Sequence, residues 1–154
     1  MARAIDSIYS IINNPFKLME LIIKFYFHCE NRDNDILLAY LILPLTLNED
    51  SRKKLKNLNK NSDLFSLVKD TNSIIGLELM IEEYKDITNK CIQLAISNGY
   101  LELRDNRSLV KTDKILQNNF FISNEMNRAI EKFAMIIKSI DIVSIYRILG
   151  VKKI

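Results

Sequence analysis

The residues best suited to covalent or metal chemistry are few. His28 is the single histidine, Cys29 follows it directly, and the second cysteine, Cys91, lies far off in sequence. A tetrahedral zinc site draws about four ligands in recognisable pairs, a pattern these three residues do not make. On a helix, His28 and Cys29 would point about 100° apart, which excludes a nucleophile pair between those neighbours. A pairing of Cys91 with His28 through space stays open, and the plainer expectation is two buried free thiols in a reducing compartment. Gly76, Gly99 and Gly150 each stand alone, so the chain has neither a Gly-rich phosphate loop nor a Gly-x-Ser-x-Gly elbow. With no acid–base or nucleophilic set in view, the expectation is a protein that is not an enzyme and holds no metal or cofactor.

The remaining chemistry is basic and polar. Arg52, Lys53, Lys54, Lys56 and Lys60 fall between Ser51 and Asn61 with no acidic residue among them. Such a run is either a solvated face or a patch that meets phosphates or an acidic partner. A second candidate group comprises Asn89, Lys90, Gln93 and Ser97 at helical spacing, followed by Arg104, Arg107 and Lys111. Asn and Gln pair with adenine edges, while Arg and Lys neutralise phosphates, so this set has the chemistry to read DNA. Glu102, Asp105 and Asp113 hold the local charge near zero, and packing or partner docking is the plainer reading of the same unit.

The elements that must position these residues are mostly helical. Asn14-Pro15 is a helix start, with a cap residue and then proline where its missing N–H costs nothing. A helix is predicted from Pro15 to about Cys29, with Leu18, Leu21, Ile22, Phe25 and Tyr26 on one buried stripe. Asp35 is placed to cap a buried apolar helix from Ile36 that breaks near Pro44. Ser62 or Asp63 caps a short helix carrying Leu64, Phe65, Leu67 and Val68. Thr71 or Asn72 opens another from Ser73 to about Tyr84, and Asp86 or Thr88 starts a third that Asn98-Gly99 ends. Then Tyr100–Arg104 and Leu109–Thr112 alternate as two strands around a turn at 105–108. Helix, glycine exit and hairpin, over about 86–112, make a winged-helix-like module within about 62–114. Beyond Phe120-Phe121-Ile122, Ser123 caps a long helix to about Lys138 and Asp141 caps a last one from Ile142 to Leu149, a C-terminal helical pair. The fold class is therefore mainly α, a single domain over 1–154.

Composition agrees with that class and narrows the function. The chain has 154 residues, 48% hydrophobic and 27% charged, within the range of one globular domain. Its net charge of +3 is too small for global charge to drive nucleic-acid affinity, so any basic surface is local. The most apolar stretch, Ile36 to Leu47, falls well short of the roughly 20 residues that span a bilayer. The opening Met-Ala-Arg-Ala-Ile-Asp has no signal core, and the expected location is the cytoplasm, away from membranes.

In their order, these features resemble a known family. An Asn14-Pro15 helix start, the segment Leu41-Ile-Leu-Pro-Leu45 followed by Arg52 and lysines, a helix running through Gly99 into a hairpin, and a terminal Leu149-Gly150-Val151 look like the middle component of three-component ABC-ATPase systems, the Lamassu-type antiphage defence operons. The resemblance covers about residues 11 to 151 and lies in the order and spacing of the motifs. It implies a non-catalytic accessory subunit that assembles with an SMC-like ABC ATPase sensing unusual DNA and with an effector, often a nuclease. No catalytic residue carries over, since the chemistry of that family lies in its partner subunits.

The resulting expectation is an adaptor bridging ATPase and effector, with double-stranded DNA reached through the complex. A chain this rich in Ile and Leu has apolar area to spare, and the expected contact surfaces are Leu41, Leu43, Leu45 and Leu47 together with Ile142, Ile145, Tyr146 and Leu149. The alternative is a winged-helix transcriptional regulator that dimerises on promoter DNA through Asn89, Lys90 and Gln93.

Overall fold

The computed structural model describes residues 14–117 and 121–153; the N-terminal stretch read above for a signal core, and Phe120, lie outside them. The first helix, α1 (Pro15–His28), starts as its sequence dictates, with the Asn14 side chain accepting a 3.0 Å hydrogen bond from the Phe16 N–H. It is buried more completely than its stripe predicts. Leu18, Met19, Leu21, Ile22, Ile23, Phe25 and Tyr26 are all in the core, each worth about 1.5–3 kcal/mol of burial. The Phe25 ring meets Tyr26 edge-on at 5.0 Å and Phe133 at 5.8 Å.

A 3₁₀ turn (Asp35–Leu38) leads straight into α2 (Ala39–Leu47), and the expected break near Pro44 is absent. Pro44 sits inside α2 and removes one N–H there, a cost of about 3 kcal/mol in an ordinary helix interior. Burial of every residue from Leu41 to Thr46 outweighs it. Within the helix the Thr46 hydroxyl donates back to the Ile42 carbonyl, and from outside the Arg52 guanidinium donates to the carbonyls of Thr46 and Leu47 at 3.1 and 3.3 Å.

α3 (Glu49–Lys56) is capped by Asn48, and α4 (Leu64–Val68) by a reciprocal capping box between Asp63 and Ser66. The two helices expected on either side of Tyr84-Lys85-Asp86 are one, α5 (Leu77–Ser97). Nothing between Tyr84 and Asp86 breaks a helix, and Thr88 is buried inside it rather than capping it. The true start is Gly76 at φ +72°, a left-handed residue that suits glycine. Gly99, at φ +78°, turns the chain into a hairpin of β1 (Leu101–Leu103) and β2 (Leu109–Lys111), paired Leu101 with Lys111 and Leu103 with Leu109. α6 (Asn124–Ile136) and α7 (Ile142–Ile148) follow, capped by Ser123 and Asp141 as predicted.

α1 is the axis of the molecule, packed between α5 and α6. α2 crosses α5, α3 lies along α6, and α7 closes over α4 and the 3₁₀ turn. The hairpin rests on α1 and on the end of α5. The result is a mainly helical domain with one small two-stranded sheet and a pair of C-terminal helices.

Candidate functional site

The hairpin is sewn into the body by a buried polar cluster. Asp35, fully buried, accepts from the Leu109 N–H at 2.7 Å, the Arg32 N–H at 3.0 Å and the Asn31 amide at 3.2 Å. It therefore does not cap the following helix as expected; its carboxylate holds a strand. Asn31 also donates to the Leu109 carbonyl at 2.8 Å, and Asn34 and Ile36 donate backbone N–H bonds to the carbonyls of Asn106 and Arg107. Arg32 reaches the other way, donating to the carbonyl of Ile137 at 2.8 Å and to that of Ile140, just past α6. Local sequence reading missed this cluster because its partners lie far apart along the chain.

The residues singled out for DNA contact fall into separate groups. Arg52 and Lys56 on α3 face inward across α6 to Glu125, at 3.0 and 3.5 Å. Lys53 pairs with Glu49 at 2.7 Å, which leaves Lys54 and Lys60 without an ion pair among the described residues. Glu125 is held below the usual carboxylate range, chiefly by the hydrogen bond from Arg52. On α5, Lys90 and Gln93 are exposed, while Asn89 accepts a hydrogen bond from the Tyr40 hydroxyl. On the hairpin, Arg104 pairs with Glu102 at 3.4 Å, Lys111 reaches the Phe27 carbonyl at 3.5 Å, and Arg107 is the left-handed turn residue at φ +62°.

The outward face of α5 continues upstream through Glu78, Glu82, Glu83 and Asp86, all exposed. Helical spacing puts these carboxylates in the same stripe as Asn89 and Gln93. With Lys85 the one cation among them, these four carboxylates make the first half of α5 net acidic, which disfavours a duplex laid along this face.

The thiols are inert in this setting. Cys29 and Cys91 are free and buried, and burial pushes their pKa values up to about 11 and about 12. Cys91 donates to the Pro15 carbonyl, and His28 lies at the surface 3.7 Å from Glu131. Among the described residues no three His, Cys, Asp or Glu side chains stand together as a metal-ligand set, and no helix is long and apolar enough to cross a membrane.

The expected contact surfaces are corrected outright. Leu41, Leu43, Leu45, Ile142, Ile145, Tyr146 and Leu149 are buried within the chain's own core, and Leu47 packs half-buried against it. The Tyr146 hydroxyl donates to the Leu37 carbonyl, which ties α7 to the 3₁₀ turn. The apolar excess goes into a core that closes around α1 and α2 on several sides. Large apolar side chains do reach the surface, but elsewhere: Phe65, Ile75, Leu79 and Val143 are exposed. Leu79 was legible, since it lies two residues off Leu77 and Ile81 and is flanked by Glu78, Glu82 and Glu83.

These features define a compact helical domain whose polar clusters hold the fold together and whose unpaired surface is split between acidic, basic and apolar patches. Residues 2–153 match the family model described as ABC-three component (ABC-3C) system Middle Component 3, and the chain belongs to that family. No curated protein and no solved structure matches it.

Proposed function

We propose that this protein is a non-catalytic adaptor subunit that bridges an SMC-like ABC ATPase and an effector encoded in the same operon, in a Lamassu-type defence system. The observation that carries the reading is family membership across residues 2–153, since a middle component implies partner subunits. The chemistry of the chain supports it. Both thiols are buried with pKa values far above neutrality, so neither is poised as a nucleophile. The α5-hairpin unit has the order of a winged helix and serves as a packing and docking module. Its acidic upstream face and its pinned hairpin tip favour that role over autonomous promoter binding. DNA is reached through the assembled complex, with Lys54 and Lys60 as the unpaired cations of the basic run and Lys53, paired with Glu49 at the surface, beside them.

Copurification from the native operon tests the adaptor reading. The expected result is a stable complex with the ATPase and the effector; a monomer that ignores both would overturn it. The purified chain alone should give no footprint on the upstream DNA of its operon, and a salt-sensitive, sequence-specific footprint would favour the regulator instead.

A further inference from the structure

The two edges of the hairpin differ in what covers them. The Arg104 N–H donates to the Ser108 carbonyl at 2.9 Å and the Thr112 N–H to the Tyr100 carbonyl at 3.1 Å, so the even-numbered residues of both strands turn their backbone groups inward. Leu103 and Leu109, directly opposite each other, therefore turn theirs outward. On the β2 edge that position is filled: the Leu109 N–H donates to Asp35 and its carbonyl accepts from Asn31. On the β1 edge the Leu103 N–H and carbonyl have no hydrogen-bond partner among the described residues, and Leu103 is 47% exposed. An open donor and acceptor on one extended residue match another extended strand.

The flanking side chains select which strand. Glu102 and Arg104 stand on the solvent face 3.4 Å apart, and opposite them on β2 are the uncharged Val110 and Ser108. Lys111 lies across from Leu101 on the other face and reaches to the Phe27 carbonyl, while Asp105 and Arg107 in the turn add one charge of each sign. Centred on Leu103, the order Glu-Leu-Arg is its own complement in an antiparallel pair: Leu103 meets Leu103, and each Glu102 meets the Arg104 of the other copy.

From the open edge and this self-complementary charge order, we infer that β1 pairs antiparallel with β1 of a second copy of this chain, about a two-fold axis between the two Leu103 residues. Those residues exchange N–H···O bonds, and the four charged side chains alternate in sign around them, each Arg104 lying between its own Glu102 and that of the other copy. The two hairpins become one four-stranded sheet. An edge of three residues buries little area, so the dimer is weak and concentration-dependent. It needs no partner subunit, which keeps it separate from the adaptor reading.

Sedimentation equilibrium of the purified full chain is the test. Wild type is expected to pass from monomer to dimer as its concentration rises toward about 1 mM, the range of a weak interface. Glu102→Arg and Arg104→Glu each put four like charges around the axis and should weaken the dimer by about tenfold or more. A mixture of those two variants should associate again, because every cross-strand pair is then opposite in sign. Positions 102, 103 and 104 are exposed, so circular dichroism should show each chain folded. Leu103→Cys should oxidise to a linked dimer, since hydrogen-bonded partners across a ladder lie about 5.5 Å apart at Cα, within disulfide reach. A wild type that stays monomeric at about 1 mM would overturn the pairing. So would a dimer that both charge variants leave intact, a mixture that fails to associate, or a Leu103→Cys chain that does not link.

Discussion

The Asp35 carboxylate and the Leu109 backbone N–H are both buried and lie 2.7 Å apart, joined by a hydrogen bond across 74 residues of sequence. This contact binds the hairpin to the connector between α1 and α2, and with Asn31 and Arg32 it forms the polar knot of the domain. Asp35→Ala would strand the N–H groups of Leu109 and Arg32. The expected loss is about 3 kcal/mol in urea unfolding, since buried donors left unpaired cost about 1–3 kcal/mol each. A change under about 0.5 kcal/mol, the usual size for an indifferent surface site, would show the knot to be dispensable.

Arg52, Lys56 and Glu125 couple α3 to α6 in a pH-dependent way. The hydrogen bond from Arg52 lowers the folded pKa of Glu125 below its unfolded value. The stabilisation is therefore complete above the unfolded pKa, about 4.3 for glutamate, and is lost as pH falls through the folded value. In melting curves, wild type should exceed Glu125→Gln at pH 7, and the gap should close in acid below about pH 4. A gap independent of pH would remove the carboxylate from the explanation.

Leu149 and Val143 lie on the same C-terminal segment with opposite burial, 2% and 64% exposed. Leu149→Asp should prevent stable folding by placing a charge in the core, whereas Val143→Asp should leave the melting temperature nearly unchanged. Limited proteolysis distinguishes the two directly. Equal resistance would contradict the packing of α7.

Neither cysteine should react with Ellman's reagent near pH 8 in the native protein, because burial holds their pKa values near 11 and 12. Two thiols should appear at once in denaturant. Rapid native labelling of either would mean that the core around α1 opens readily.

Charge reversal of Lys53, Lys54 and Lys60 should reduce DNA-stimulated ATP turnover of the assembled complex without dissociating it. Adding Arg52 and Lys56 to that set should also lower the melting temperature, because those two hold Glu125. Unchanged stimulation in the triple variant would reduce the basic run to a solvated face.

Caps and glycine exits were legible because they are local hydrogen-bond chemistry. Asn14, Asp63, Ser123 and Asp141 each cap the helix that their position announces, and Gly99 delivers the hairpin. Local reading failed where a distant partner changed the balance. Packing on every side carried a helix through Pro44, and burial of Thr88 inside α5 kept it from serving as the cap of a separate helix. The separation of core from surface failed for a related reason: Leu41–Leu47 and Ile142–Leu149 are apolar enough to serve as either.

Residue type and spacing were sufficient to specify a helical domain with one hairpin and the positions of its caps, because these depend on neighbours three or four residues apart. Which carboxylate holds the hairpin, which lysines stay free, and which apolar residues reach solvent depended on segments brought together from opposite ends of the chain. Asp35 meets Leu109, Arg52 meets Glu125, and Glu78 meets the tail at Lys152 only after the core has closed. Burial and long-range hydrogen bonding are properties of that closure, and no window of sequence contains them.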